Sequence, residues 1–292
     1  MDVSVVIASY NTRDLLRNCL RSLYASEGLG GFEVLVVDNN SKDGSAAMVR
    51  DQYPRAVVLS NEANLGFAKA NNRALKTARG RYVLLLNPDT EVRPGTLAEM
   101  RDLMDARPDV GVAGVKLIRQ DGRMDEACRR GFPTPAGAAA KFLRLHRLFP
   151  KSRFFGSYNQ TYRDPNGEYE VDSIVGAFMF VRRTALEDVG LLDEAFFMFG
   201  EDLDWCYRIK SKRWKVLYVG SKDVLHVKGA STRREPARMN RHFHEAMLIF
   251  YKKHLDRHYP FFISWIVMLG IRLRWALHAL RISWRARSRT GE

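Results

Sequence analysis

Apolar, β-branched runs alternate with amphipathic segments along the first 120 residues of the chain. The runs are "VSVVIAS", "FEVLVVD", "AVVLSN", "RYVLLLN" and "VGVAGVKLI". Between the first two, "TRDLLRNCLRSLYAS" has its apolar side chains on one helical stripe, at Leu15, Leu16, Cys19, Leu20 and Leu23. The segments "SKDGSAAMVRDQY", "GFAKANNRALKTA" and "GTLAEMRDLMDA" fill the later gaps. Apolar strands that alternate with helices predict an α/β fold, with a mainly parallel sheet covered by helices on both faces.

The alternation ends after about residue 120. A basic, apolar stretch, "AGAAAKFLRLHRLFPKSRFF", precedes a polar loop, "GSYNQTYRDPNGEYE". A strand is expected in "VDSIVGAFMFVRR", and a strand pair around "KVLYVGSKDVLHV". We expect this half to complete the sheet and to form the second wall of a crevice.

Polar side chains follow three of the predicted strands. In "LLLNPDT", Pro88 cannot donate to a sheet ladder, so the strand ends there and Asp89 lies just beyond it. Asp38 ends the second strand, and Ser9, Tyr10 and Asn11 follow the first. A turn or a helix cap would explain any one of these groups. Together they predict a binding crevice, because ligands of such folds bind beyond the carboxyl ends of the strands.

An acidic cluster in "FGEDLDW" comprises Glu201, Asp202 and Asp204. Acids are favoured at a helix N-terminus, but mutual repulsion would raise the pKa of at least one toward that of a general base. The aromatic residues around the cluster, Trp205 among them, form either a sugar-stacking wall or part of the core. His226 ends a later strand and would complete, with Asp89, an oxygen and nitrogen site for a divalent cation.

Composition and charge exclude several classes of protein. The three cysteines, Cys19, Cys128 and Cys206, cannot all pair and have no CxxC spacing, which indicates a reducing compartment and no zinc site. The N-terminus has no basic segment or cleavage site typical of a signal peptide, so a cytosolic location is expected. The sequence has no G-x-G-x-x-G after a strand and no P-loop motif. A dinucleotide-binding Rossmann domain and a P-loop are therefore not expected.

The formal net charge of +14 would suit a nucleic-acid-binding protein. However, seven arginines and no acids occur between residues 257 and 291, so this tail holds half of the net charge. No RNA- or DNA-binding signature is present, and we expect no nucleic-acid partner. A sugar nucleotidyltransferase would carry a Gly-rich, basic signature after the first strand, which "IASYNTRD" lacks.

Six segments together resemble inverting glycosyltransferases of family 2 with the GT-A fold, in particular the rhamnosyltransferase-like branch that elongates lipid-linked glycans. They are "SVVIASYNTRDLLRNCLRSL", "VVDNNSKDGS", "NLGFAKANNRAL", "GRYVLLLNPDT", "GLLDEAFFMFGEDLDWCYR" and "LHVKGAS". The resemblance implies a GT-A domain over residues 1–236, with a nucleotide-binding half (1–120) and an acceptor and catalytic half (121–236).

The same resemblance implies roles for individual residues. Asp38 would recognise the pyrimidine of the donor, and Asp202 would be the catalytic base. Asn87 and Asp89 occupy the DxD positions; since the first is Asn, Asp89 and His226 would bind Mg²⁺ or Mn²⁺. The residues implied to lie against the nucleotide are Ser9, Tyr10, Asn11, Asn64, Gly66, Phe67 and Asn72. The donor would be dTDP-L-rhamnose, with a UDP-sugar as the alternative.

Residues 237–292 are expected to form a separate basic, amphipathic tail. Its apolar run, "PFFISWIVMLGI", would be about 18 Å long as a helix, which is too short to cross a hydrocarbon core of about 30 Å. The next segment has two different faces, an apolar one with Leu273, Ala276, Leu277, Leu280 and Trp284 and a basic one with Arg274, His278, Arg281 and Arg285. Such a helix either packs on the protein's own core or lies among the headgroups of an anionic leaflet. We predict a monotopic enzyme on the cytoplasmic face of the membrane, where it would meet a polyprenyl-diphosphate-linked glycan acceptor.

Overall fold

The computed structural model describes residues 1–227 and 235–290, with side chains as far as residue 284. The end of the "LHVKGAS" motif, residues 228–231, and the side chain of Arg285 lie outside the described part of the chain. All three cysteines are buried and free, as expected.

The first half has the predicted strand and helix order. Four strands, β1 (Val3–Ser9), β2 (Phe32–Asp38), β3 (Val57–Ser60) and β4 (Tyr82–Leu86), pair in parallel in the order β3-β2-β1-β4. They are connected through α1 (Arg13–Tyr24), α2 (Ser45–Gln52) and α3 (Phe67–Leu75). Strands β1 and β4 are apolar and buried almost throughout because helices cover both faces of the sheet.

The second half extends the sheet in a mixed arrangement. Its strands are β5 (Thr90–Val92), β6 (Val110–Ile118), β7 (Glu168–Glu170), β8 (Phe178–Arg182) and β9 (Lys215–His226). The sheet continues from β4 in the order β8-β6-β9-β5, with β7 paired to β9. Its helices are α4 (Thr96–Ala106), α5 (Pro135–Phe142), α6 (Leu145–Leu148), α7 (Arg183–Val189) and α8 (Glu201–Ser211).

Two details of the sheet differ from the prediction. Strand β6 does not lie beside β4, since β8 is inserted between them and is antiparallel to both. The expected strand pair in "KVLYVGSKDVLHV" is one strand, β9, whose pairing with β6 shifts between Val219 and Asp223. At Gly220 a Cβ would lie 2.3 Å from the Pro165 carbonyl oxygen, so a neighbouring backbone occupies the space of a side chain.

The C-terminal region forms two long helices, α9 (Pro236–Phe250) and α10 (Phe261–Thr290), joined by a π-helical turn and a 3-10 turn. The expected twelve-residue apolar run is therefore part of one helix of 30 residues. Its segment Phe261–Trp284 has a mean hydropathy of 1.3 and, by length and composition, could cross a membrane. At about 1.5 Å per residue this segment extends about 36 Å, so the prediction that the region is too short to span a bilayer was wrong.

Helix α10 packs on the protein through one side only. The Tyr251 and Ser264 hydroxyls lie 3.0 Å apart, the His244 and His278 rings are in contact, and Ile271 is buried. The opposite side is exposed and apolar. We call it the apolar stripe; it consists of Phe262, Trp265, Ile266, Leu269, Leu273, Leu277, Leu280 and Trp284.

Candidate active site

The loops that follow β1 and β2 are connected by hydrogen bonds at the carboxyl edge of the sheet. Asn11, at a φ of 53°, accepts from the backbone N–H of Lys42 at 2.7 Å and donates its own N–H to the Ser41 hydroxyl at 2.9 Å. The Ser9 hydroxyl is buried against that of Thr12, 2.9 Å away. Tyr10, the residue between Ser9 and Asn11 in the chain, is half-buried. The predicted groups after β1 and β2 therefore lie together.

Asp38 is buried, and only one of its two carboxylate oxygens is hydrogen-bonded. Its Oδ2 accepts from the Ser41 N–H at 3.1 Å. Its Oδ1 is buried and has no hydrogen-bond partner within the described part of the chain. A buried carboxylate oxygen without a partner is costly, so this atom is suited to bind a ligand N–H or O–H.

Asn39, which the sequence did not single out, supports the next loop. Its side chain donates to the Gly66 carbonyl at 3.1 Å and accepts from Asn61 at 2.7 Å. Asn64 accepts from the Gly66 N–H at 3.0 Å. Gly66 has a φ of 84°, and a Cβ there would lie 2.4 Å from the Phe197 carbonyl oxygen, so only glycine fits.

Helix α3 begins beside the acidic cluster. The N–H of Phe67 donates to the Phe197 carbonyl at 2.7 Å. A Cβ added at Gly176 would lie 3.4 Å from the Phe67 ring and 3.8 Å from Cβ of Asp202. Phe67 therefore lies close to the predicted base.

Asn72, by contrast, has its side chain fully engaged by protein. It donates to the Leu192 carbonyl and accepts from the Leu192 N–H, at 2.9 and 3.0 Å, and it also donates to Glu194 at 3.0 Å. Asn72 thus fastens α3 to the segment before α8.

Asp89 and His226 are adjacent, as predicted. The pairing of β5 with β9 places Thr90 opposite His226. Nε2 of His226 lies 3.3 Å from Oδ1 of Asp89, and this oxygen is buried without an aligned hydrogen bond. Asn87 is half-buried at the end of β4, where its N–H donates to the Ala177 carbonyl at 3.1 Å.

Asp125 completes this group and was not anticipated. Its Oδ2 lies 3.6 Å from Nδ1 of His226, and its Oδ1 accepts from the Ala127 N–H and from Arg119, each at 3.2 Å. Burial lowers the pKa of His226, but the carboxylates of Asp125 and Asp89 outweigh that effect and raise it to about 9. Without a cation the imidazolium balances the two acids, and a cation bound at Nε2 would displace its proton.

The donor set at Asp89 and His226 fits a divalent cation. One carboxylate oxygen without a hydrogen-bond partner and one imidazole nitrogen 3.3 Å away are suitable ligands for Mg²⁺ or Mn²⁺. Residues 1–227 and 235–290 contain no group of three or more His, Cys, Asp or Glu side chains arranged for a metal. Two protein ligands suffice only where substrate phosphate and water supply the rest, which is the usual arrangement for Mg²⁺.

Asp202 is buried at the start of α8, and both of its carboxylate oxygens accept hydrogen bonds. Oδ1 accepts from the Leu203 N–H at 2.7 Å. Oδ2 accepts from Nη2 of Arg130 at 2.7 Å and from the Gly176 N–H at 3.1 Å. The next residue, Ala177, accepts the N–H of Asn87. Through Gly176 and Ala177, the predicted base lies next to the end of β4 and the Asp89 region.

The other members of the acidic cluster have different surroundings. Burial and the negative charge of Asp202 raise the pKa of Glu201 to about 8, and Oε2 of Glu201 has no partner among the described residues. Asp204 is fully buried and is bound by Arg208, Lys253 and His254, at 2.7 to 2.8 Å.

Trp205 is fully buried in the core and donates its indole N–H to the Gly190 carbonyl at 2.9 Å. It offers no ring face to a sugar in this structure. Phe196 is likewise buried, in the small cluster beneath α9.

Comparisons with known proteins agree with this geometry. Residues 4–190 match the model of glycosyl transferase family 2. The chain is 31% identical over 266 residues, 87% of its length and 84% of the relative's, to N-acetylglucosaminyl-diphospho-decaprenol L-rhamnosyltransferase of Mycobacterium tuberculosis H37Rv. It is also 30% identical over 240 residues to the O-antigen biosynthesis protein RfbC of Myxococcus xanthus, covering 80% of this chain but 18% of RfbC.

Solved structures share the fold at lower identity. S. aureus TarS 1–349 in complex with UDP-GlcNAc gives a TM-score of 0.58 at 20% identity, over 88% of this chain and 67% of that one. GalNAc-T7 with UDP, GalNAc and Mn²⁺ gives 0.57 at 17% identity, over 78% of this chain and 44% of that one. These likenesses confirm the predicted GT-A-type architecture.

Proposed function

Because this chain belongs to glycosyl transferase family 2, we propose that it is an inverting enzyme that transfers L-rhamnose from dTDP-L-rhamnose to a polyprenyl-diphosphate-linked glycan. The family membership makes the chain a glycosyltransferase. The donor and acceptor classes are suggested by the mycobacterial relative, whose name describes rhamnosyl transfer to a diphospho-decaprenol glycan.

One observation supports this reaction more than any other. The consecutive residues Gly176 and Ala177 hydrogen-bond to Asp202 and to Asn87, so the acid on α8 lies beside the strand end that leads to Asp89. A nucleoside diphosphate at Asp89 would thus have its sugar next to the Asp202 carboxylate. That is the placement needed for a base that deprotonates an attacking hydroxyl.

The chain's own residues would act in sequence. Asp38 binds the pyrimidine through its unpaired Oδ1, while the loop held by Asn39 and Gly66 encloses the nucleoside. Asp89 and His226 would hold the cation, which would supply positive charge to neutralise the departing diphosphate. Arg130 and the Gly176 N–H fix Oδ2 of Asp202, and the carboxylate accepts the proton of the acceptor hydroxyl. The hydroxyl attacks the anomeric carbon from the face opposite the diphosphate, so one displacement inverts the configuration.

The C-terminal helix supports a location at a membrane surface. Its apolar stripe is exposed, whereas its basic side, with Arg274 and Arg281, is directed to α5 and α6. A helix that crossed the bilayer would carry the cationic side chains of α5, α6 and the cleft between them and α10 into the hydrocarbon, which is costly. We therefore favour residues 1–236 as the catalytic domain and residues 237–292 as a monotopic anchor on the cytoplasmic leaflet.

A donor panel tests the proposal. The full-length enzyme is incubated with dTDP-L-rhamnose and several UDP-sugars, with and without a polyprenyl-diphosphate-GlcNAc acceptor. Without the acceptor, we expect the enzyme to hydrolyse dTDP-L-rhamnose. With donor and acceptor together, we expect a glycosylated lipid whose new linkage has the inverted anomeric configuration. Faster turnover of a UDP-sugar would reassign the donor, and transfer of a nucleotidyl group would contradict the proposed reaction.

A further inference from the structure

A basic cleft of about 330 Å³ lies where α5 and α6 meet α10, outside the donor site. The cationic side chains that line it are Lys141, Arg144, Arg147, Arg274 and Arg281. Glu126 is the one carboxylate among its described lining residues, and it accepts a hydrogen bond from Asn159 at 2.7 Å. Positive charge is therefore in large excess.

The arginines of the cleft are not neutralised by protein carboxylates. Within residues 1–227 and 235–284, none of the four forms an ion pair. Nε of Arg274 and Nδ1 of His146 are buried there and have no hydrogen-bond partner in the described part of the chain. Burial and the charges of Arg274 and Arg281 lower the pKa of His278, which also lines the cleft. A buried guanidinium N–H without a hydrogen-bond partner, next to arginines without ion pairs, indicates an anion-binding site.

Exposed apolar side chains surround the cleft. On one side the apolar stripe of α10 passes about 100° around the helix from Arg274 and Arg281. On the other side, α5, α6 and the segment after them expose Phe142, Leu143, Leu148, Phe149 and Phe154. A ligand with an anionic centre and a long hydrocarbon chain would match both features at once.

The cleft is connected to the catalytic base through few residues. Asn159 lines the cleft, and the carbonyl of the preceding Tyr158 accepts from the Gly131 N–H at 2.8 Å. The neighbouring Arg130 binds Asp202. Two neighbouring pairs of residues, Asn159 with Tyr158 and Gly131 with Arg130, therefore connect the lining of the cleft with Asp202.

We propose that this cleft binds the diphosphate of the polyprenyl-linked acceptor, with the isoprenoid chain lying along the apolar stripe. The inference rests on the proposed function and specifies where its acceptor binds. Two phosphates require several donors at once, and planar guanidinium groups bind phosphate oxygens in pairs. Phosphatidylglycerol, with one phosphate, would fill the site less completely.

Vesicle binding without any donor tests the proposal directly. Full-length protein is titrated with phosphatidylcholine vesicles that contain undecaprenyl diphosphate, and with vesicles that contain phosphatidylglycerol at matched surface charge. The variant Arg144→Gln/Arg147→Gln/Arg281→Gln removes three exposed cleft cations. A matched control, Arg21→Gln/Lys76→Gln/Lys212→Gln, removes three exposed cations elsewhere.

We expect the wild type to bind diphosphate vesicles more tightly than phosphatidylglycerol vesicles. In the cleft variant this ratio of affinities should fall by at least about tenfold. The control should retain it, and donor hydrolysis should be unchanged in both variants. Should the triple variant not fold, Arg144→Gln/Arg147→Gln leaves α10 untouched and gives the same readout. No preference in the wild type, or an unaltered one in the cleft variant, overturns the proposal. If the preference is present but no donor gives transfer, the proposed function fails while the cleft assignment stands.

Discussion

The two ring nitrogens of His226 face different carboxylates: Nε2 lies 3.3 Å from Asp89 and Nδ1 lies 3.6 Å from Asp125. A neutral imidazole with its proton on Nδ1, the nitrogen that faces Asp125, keeps the lone pair of Nε2 on the side of Asp89. Carboxylate–histidine pairs orient metal ligands in this way. We therefore propose that Asp125 is a positioning residue for the proposed cation site.

Replacing Asp125 tests this role. Asp125→Asn keeps an acceptor for the Ala127 N–H but loses the charge next to His226, so cation-dependent binding of dTDP should weaken about 10- to 100-fold. Isothermal titration with and without Mn²⁺ measures it. Binding in EDTA should not change; an equal loss with and without Mn²⁺ would indicate a purely structural role.

Removal of the cation should abolish transfer. Asp89 and His226 are the proposed protein ligands of the cation, so EDTA should stop activity and Mg²⁺ or Mn²⁺ should restore it. Asp89→Ala should weaken dTDP binding only when the cation is present. Full activity in EDTA would contradict the assignment.

Asp202→Asn should reduce kcat by about 100-fold or more, with donor affinity nearly unchanged, because the amide cannot accept the proton. Steady-state kinetics with donor titrations separate the two effects. The exposed acid Glu187, replaced in Glu187→Gln, is the control and should behave as wild type. Near-normal turnover of Asp202→Asn would move the base elsewhere, with Glu201 the next acid to replace.

Stability should depend on Asp204 at neutral pH and much less in acid. Burial raises the pKa of Asp204, but hydrogen bonds from His254 and Lys253 and the charge of Arg208 outweigh this and lower it to about 2. The carboxylate should contribute about 2 to 3 kcal/mol above its unfolded pKa of about 4. This contribution is lost as the pH falls from there through 2.

Urea unfolding of wild type and Asp204→Asn at several pH values measures this contribution. The difference in unfolding free energy should be largest near pH 7 and should shrink below pH 4. Asp14→Asn, at an exposed ion pair, should show almost no difference at any pH. A constant difference for Asp204→Asn would mean that packing, not ionisation, is responsible.

The apolar stripe should determine membrane binding. Trp265→Gln/Leu273→Gln/Trp284→Gln removes large exposed side chains, so partition onto anionic vesicles should fall by at least about tenfold. Flotation at physiological salt measures it, with Val57→Gln on β3 as the exposed apolar control. If the stripe variant still floats with vesicles, α10 is not the anchor.

The hydrophobic pattern of the sequence was sufficient to predict those elements whose burial depends on their own residues. The apolar runs of β1 and β4 are buried almost throughout, and the strand ends at Asp38 and Asp89 were found from such runs. The insertion of β8 between β4 and β6 was not predictable, because partner choice depends on strands a hundred residues apart. The continuity of α10 was missed because its composition changes midway while its backbone does not.

The surroundings of individual site residues were also not predictable where they depend on distant segments of the chain. Asp125 lies in "RQDGRMDEACRR", where several acids and bases look alike. Its N–H donates to Leu117 on β6, and the pairing of β6 with β9 brings His226 to it. Asp204 is close to Glu201 and Asp202 in the sequence, so the prediction placed all three acids in one cluster. The helix turns it instead towards Lys253 and His254, which are about fifty residues away.

The bonds from Phe67 to Phe197 and from Asn72 to Leu192 cross between the nucleotide half and the segment that leads into α8. These bonds fasten the two walls of the crevice to each other at this point. If the donor and the base lie where we propose, their relative position is constrained before either substrate arrives, and this would lower the entropic part of the barrier. Turnover should then be governed by how the acceptor lipid enters and leaves, and should follow the fluidity of the surrounding bilayer.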